Sequence, residues 1–134
     1  MAGRRLLLDT SAYAQFRRGH RSVVDLLASA ERLFLSTVTL GELEAGFMLG
    51  SRLDENRSAL RDFLDEPFVG VQPVDADVAR RYGGVFTSLR RAGTPIPTND
   101  VWIAATALHL GAELITFDTD FGRIPDLNPL VLAP

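Results

Sequence analysis

Apolar residues in this chain fall into short continuous runs separated by longer stretches of mixed character. Leu6-Leu7-Leu8 is the first run. It has the form expected of a strand buried on both faces of a parallel sheet. Leu33-Phe34-Leu35 and residues 68–71 and 114–117 repeat the pattern, and residues 130–132 predict a last edge strand. Helix signals lie between these runs. Ser11 is placed to cap a short helix from Ala12, and Ser22 a second through Leu27. Thr39 opens a helix to about Leu49, which Gly50 ends. Asp54 caps residues 55–64, with Pro67 following. Asp75 opens a long helix toward Ala92 with Gly93 at its end. A stiff Thr94-Pro95-Ile96-Pro97 loop leads to Asn99, which caps a helix over 100–110 that Gly111 closes. Strands and helices alternate throughout. The pattern predicts an α/β fold, a three-layer α/β/α arrangement with a central, mainly parallel sheet. No repeat or linker interrupts it, so one domain is expected over residues 1–134.

Composition narrows the chemistry. The absence of cysteine removes disulfides and thiolate metal sites, and favours a cytoplasmic setting. The apolar runs are too short to cross a bilayer. Arg4-Arg5 precedes only three leucines before Asp9, which does not make a signal peptide. A net charge of −3 is not that of a protein that coats nucleic acid. All 14 basic residues are arginine, a side chain suited to bidentate phosphate contacts, although the abundance of Ala, Leu and Gly beside it fits a general compositional bias equally well.

The acidic residues take on meaning when placed on the expected strands. In open α/β sheets, ligands bind beyond the carboxyl ends of the strands. Asp9 directly follows the first strand and Asp118 the strand at 114–117. Glu42 lies in the first turn of the helix after the second strand, and Asp100 heads the helix after the proline-rich loop. Parallel strands would bring all four to one edge. Each also has a local explanation. Asp9 could cap the following turn, and Thr39-x-x-Glu42 is a capping box. The helical wheel does not choose Glu42 over Glu44. Asp100 could complement a helix dipole, and Asp118 and Asp120 could form turns. The local explanations do not account for the joint placement at strand ends. Converging carboxylates repel one another unless some are protonated or a cation sits among them. Without cysteine, and with only His20 and His109, an all-oxygen site for Mg2+ or Mn2+ is the expectation.

These residues resemble a known family. Leu7-Leu8-Asp9-Thr10-Ser11 is similar to the first motif of PIN domains, and Thr39-Leu40-Gly41-Glu42-Leu43-Glu44-Ala45-Gly46 to the second. The run from Pro97 through Asn99-Asp100-Val101-Trp102 to Leu108 resembles the third, and Thr116-Phe117-Asp118-Thr119-Asp120-Phe121 the fourth. The order and spacing match over nearly the whole chain, and the compact form resembles the VapC-like toxins of bacterial toxin–antitoxin pairs. The resemblance implies an α/β/α fold, a magnesium- or manganese-dependent endoribonuclease, frequent homodimers, and inhibition by a cognate antitoxin protein. It assigns Asp9, Glu42, Asp100 and Asp118 as catalytic, with Asp9, Asp100 and Asp118 as metal ligands. Cleavage would leave a 5′-phosphate.

Other residues have weaker assignments. Thr10 and Thr116 are hydroxyl-bearing neighbours of the acids. Arg17, Arg18, Arg21, Arg80, Arg81, Arg90 and Arg91 are candidate RNA contacts. His20 is read as a loop residue, His109 as a late helix residue and Trp102 as core. Phe47, Met48 and Leu49 are candidates for a partner surface or for the core. Alternative readings keep the site but change the reaction, to a housekeeping PIN nuclease, a metal-dependent phosphatase or a DNase. A reading of another class is a non-catalytic partner-binding PIN module.

Overall fold

A computed structural model describes residues 3–134. Strand β1 (Arg4–Leu8) leads into helices α1 (Thr10–Arg17) and α2 (Arg21–Ala28), then β2 (Ala30–Ser36). Helices α3 (Thr37–Leu49) and α4 (Leu53–Leu64) precede β3 (Val69–Gln72). Helices α5 (Ala76–Ala92) and α6 (Thr98–Leu110) precede β4 (Glu113–Thr116), a 3-10 turn (Thr119–Arg123) and β5 (Pro129–Val131). The strand order is β3-β2-β1-β4-β5, and every described pairing is parallel. The expected α/β/α fold is present. Strand bounds differ from the sequence reading by one to three residues, because polar residues such as Arg4, Arg5 and Arg32 extend the ladders beyond the apolar runs.

The side-chain alternation of the strands builds the layers. Leu6, Leu8, Leu33, Leu35 and Ile115 point to one face, where they meet Tyr13, Val23, Leu27, Leu43 and Phe63 from α1–α4. Leu7, Phe34 and Leu114 point to the other, against Val85 and Leu89 of α5 and Val101, Ile103, Ala104 and Ala107 of α6. Leu6, Leu7, Leu8, Leu35, Leu114 and Ile115 are fully buried, so the central strands are covered on both sides. Helix α6 is apolar nearly all round because it is sandwiched between the sheet and α5. Trp102 leaves the core proper. It is half-buried and stacks on Tyr82 with ring centroids 3.9 Å apart.

Several helix caps differ from the sequence reading. Of the two capping candidates before α1, Asp9 takes the role and Ser11 does not; the Asp9 side chain accepts from the Ala12 N–H. Ser36, not Thr39, caps α3, so the Thr39–Glu42 capping box does not form. Helices α2, α4 and α6 begin after His20, Arg52 and Pro97, none of which makes a side-chain cap, so Ser22, Asp54 and Asn99 lie inside their helices. Neighbouring polar residues compete for the cap, and the backbone leaving each strand decides which one is extended enough to win. Gly93 and Gly111 do close α5 and α6 in the left-handed region, at φ 72° and 61°. Gly50 ends α3 with an extended backbone instead. Phe47 packs against the core, whereas Met48 and Leu49 stand exposed, Leu49 at 90%. No described helix is long and apolar enough to cross a membrane.

Candidate functional site

The chain reverses direction across the sheet between β1 and β4, since β2 and β3 lie to one side of β1 and β4 and β5 to the other. Such a switch point opens a crevice at the carboxyl ends of the two strands. Asp9 follows β1 and Asp118 lies just beyond β4, so both stand at this crevice. Glu42 comes from the second turn of α3, not the first, because the helix begins at Thr37; Asp100 comes from the first turn of α6. The four acids together line one pocket of about 620 Å³, with Thr10, Ser11, Ala14, Ile103, Phe117, Thr119 and Phe121 completing its wall. Residues scattered over more than a hundred positions of sequence are thus brought together.

Each carboxylate is held by its own partners. Asp9 is only 6% exposed. Its Oδ1 accepts from the Ser11 hydroxyl at 2.9 Å and the Ala12 N–H at 2.8 Å, and its Oδ2 accepts from the Thr116 hydroxyl at 2.5 Å. The capping role and the pocket role therefore coexist in one side chain. Glu42 accepts from Thr10 Oγ1 at 2.5 Å and from Asn99 Nδ2 at 3.3 Å. Glu44 instead forms an ion pair with Arg57 on α4 and does not line the pocket. Asp118 Oδ1 accepts from the Asp120 N–H at 2.8 Å, and its own N–H donates to Thr116 Oγ1. Asp120 pairs with Arg123 at 3.2 Å and does not line the pocket.

Electrostatics register the convergence. Burial, then the charges of Asp118, Glu42, Asp9 and Asp120, push the Asp100 carboxyl from 3.8 up to about 6. Burial also raises Asp9, against the pull of its three hydrogen bonds. No basic residue lines the pocket. An excess of carboxylate oxygen with neither histidine nor arginine suits a hard divalent cation. Among the described residues, no three acids already close on one point. The acids rim a shared pocket, an arrangement that suits a cation that keeps several of its waters.

The sequence offered Thr10 and Thr116 as hydroxyl-bearing neighbours of the acids and Asn99 as a cap; in the fold all three donate directly to an acid. The signal was available only as adjacency to the acids. The apolar wall of Ala14, Ile103, Phe117 and Phe121 carried none. His20 lies at the start of α2, its ring edge-on to Phe117, and is not part of the pocket wall. A larger groove of about 840 Å³ runs along Phe16, Val24, Leu27, Phe63 and Phe68 and contains none of the four acids.

Residues 6–127 match the model of the PIN domain. The chain is 33% identical over 127 residues to ribonuclease VapC1 of Haemophilus influenzae, covering 91% of this chain and 93% of that protein. It is 31% identical over 129 residues to ribonuclease VapC4 of Mycobacterium tuberculosis, covering 96% and 98%. The crystal structure of VapBC2 from Rickettsia felis, bound to a DNA fragment from its promoter, superposes with a TM-score of 0.84 at 27% identity, covering 96% of this chain and 99% of that one. The chain belongs to the PIN-domain family. Within that family it groups with the VapC ribonucleases.

Proposed function

We propose that the chain is a magnesium- or manganese-dependent endoribonuclease, the toxin of a toxin–antitoxin pair, acting through Asp9, Glu42, Asp100 and Asp118. The observation that carries the reading is the shared pocket of four carboxylates at the switch point. The VapC relatives are named ribonucleases, and the Rickettsia neighbour is a toxin–antitoxin complex. Asp9, Asp100 and Asp118 would hold the cation, directly or through water. Bound there, it would neutralise charge on the scissile phosphate and make a bound water more acidic. Thr116 and Ser11 fix the Asp9 carboxylate, and Thr10 and Asn99 fix Glu42. Both Glu42 oxygens keep a free lone pair, and one takes the proton of the attacking water. The water oxygen bonds to phosphorus while the bond to the 3′ oxygen breaks; that oxygen takes up a proton from solvent, which yields a 5′-phosphate and a 3′-hydroxyl.

A single domain over residues 1–134 performs this chemistry in the cytoplasm. It forms a homodimer and is restrained by a cognate antitoxin protein. The test is incubation of the purified chain with RNA, DNA and a small phosphate ester, with magnesium and with chelator. RNA alone is cut, only with the metal, and the new ends carry 5′-phosphate. Cleavage that persists in chelator, or turnover of the phosphate ester or DNA alone, contradicts the reading.

A further inference from the structure

A second pocket, of about 550 Å³, adjoins the acid pocket. Its wall includes Tyr13, Ala14 and Arg17 of α1 with Arg18 just past its end, Leu43 and Phe47 of α3, and Arg52 with Asn56 at the head of α4. Ala14 belongs to both walls, so the two pockets meet across α1. Helix α1 rises about 1.5 Å per residue, which puts Arg17 about 12 Å along the axis from its Asp9 cap. The character of the two pockets is opposite. Four acids and no cation line the first, and three arginines and a single acid, Glu55, line the second. Glu55 is engaged by Arg52. Arg17 and Arg18 are exposed and take part in none of the described ion pairs. The Tyr13 hydroxyl, buried with its residue 2% exposed, has no hydrogen-bond partner among the described residues. Burial holds that phenol above its ordinary pKa, and the nearby Arg17 charge opposes the rise.

The other arginines lack this setting. Arg80 pairs with Asp77, and Arg81 shares its hollow with that acid and His109. Arg90 borders an apolar hollow beside Phe86 and Ile96. Arg21 lines neither of the two adjoining pockets.

We infer that the arginine-lined pocket is a phosphate subsite for the RNA strand, in which Arg17 and Arg18, seated beside Tyr13, hold a backbone phosphate flanking the one to be cut. This rests on the nuclease reading given above. The chemistry supports it: an acidic protein whose reacting pocket repels a polyanion needs a fixed cationic anchor close by. Unpaired guanidinium groups make such an anchor by bidentate contact. Arg52, already bridged to Glu55, borders the subsite and contributes less.

The experiment measures binding of a short single-stranded RNA in chelator, across a salt series, to the wild-type chain and to Arg17→Gln/Arg18→Gln. Steady-state cleavage with magnesium follows. For single strands the slope of log affinity against log salt changes by about 0.7 per phosphate contact, so the double variant is expected to flatten it by roughly 0.7–1.4. KM for RNA rises roughly tenfold, while kcat changes less than twofold. Arg90→Gln/Arg91→Gln, which alters total charge equally, changes salt slope and KM by less than half as much. Both variants sit on exposed positions, and thermal melts confirm their folding. An unchanged slope and KM in the Arg17/Arg18 variant overturns the subsite. So does an equal effect from the Arg90/Arg91 pair, which would mean diffuse attraction only. So too does loss of antitoxin binding with RNA binding intact, which would assign the pocket to a protein partner. If wild-type protein cuts no RNA, the nuclease reading fails, while the binding comparison in chelator still decides the subsite.

Discussion

Asp100→Asn is expected to lower RNA cleavage by roughly 10²–10³-fold or more, the scale of losing one group that stabilises transition-state charge. The same change is expected to make the metal-free protein more stable at neutral pH. Both follow from one physical fact. Burial and the charges of Asp118, Glu42, Asp9 and Asp120 raise the Asp100 carboxyl to about 6, from an ordinary 3.8. Between about pH 4 and 6 the folded chain holds a proton that the unfolded chain has released. Acidification through that window therefore stabilises the metal-free fold, and stability falls as pH rises toward 6. The full shift corresponds to about 3 kcal/mol; Asp100 is only half-buried, so solvent screening reduces the expected gain in Asp100→Asn to about 1–2 kcal/mol at pH 7. Denaturant melts of both proteins in chelator at pH 5 and pH 7 check this. Asp100→Asn should flatten the pH dependence. A variant that is less stable than wild type at pH 7 would count against charge crowding in the pocket.

Asp9 is expected to separate chemistry from folding. Asp9→Asn keeps an oxygen to accept from Ala12 and a polar group to meet Thr116, and it removes the charge. Cleavage should fall as far as in Asp100→Asn, with the fold retained. Asp9→Ala removes the α1 cap and strands the buried Thr116 hydroxyl as well. Losing a cap costs about 1 kcal/mol and a buried unsatisfied partner about 1–3 kcal/mol. Asp9→Ala should therefore be less stable than Asp9→Asn by about 2–3 kcal/mol, read in the same melts. Equal stability would mean that Asp9 has no structural role.

Much of this architecture was legible in the residues themselves. Leu6-Leu7-Leu8 and Leu33-Phe34-Leu35 are central strands because a strand covered on both faces can be uniformly apolar. Gly93 and Gly111 ended their helices as expected, because only a residue tolerant of positive φ serves there. The four acids were legible because parallel strands carry their carboxyl ends to one side. Less local features were hidden. Ser36 took the α3 cap from Thr39, because the competition turns on a backbone direction that side-chain identity does not encode. Glu42 was separated from Glu44 only by what faces each, Thr10 and Asn99 in one case and Arg57 in the other. The arginines could not be ranked until packing set Arg17 and Arg18 beside the acid pocket.

If the chain cuts RNA as proposed, Asp9, Asp100 and Asp118 serve a single cation pocket. Calorimetric titration with Mn2+ of the wild-type chain and of the three separate asparagine variants at these positions tests it most directly. The expected result is saturable binding by the wild type that each substitution abolishes or weakens at least tenfold, in proteins whose melts remain cooperative. Binding of wild-type strength in all three variants would contradict the account.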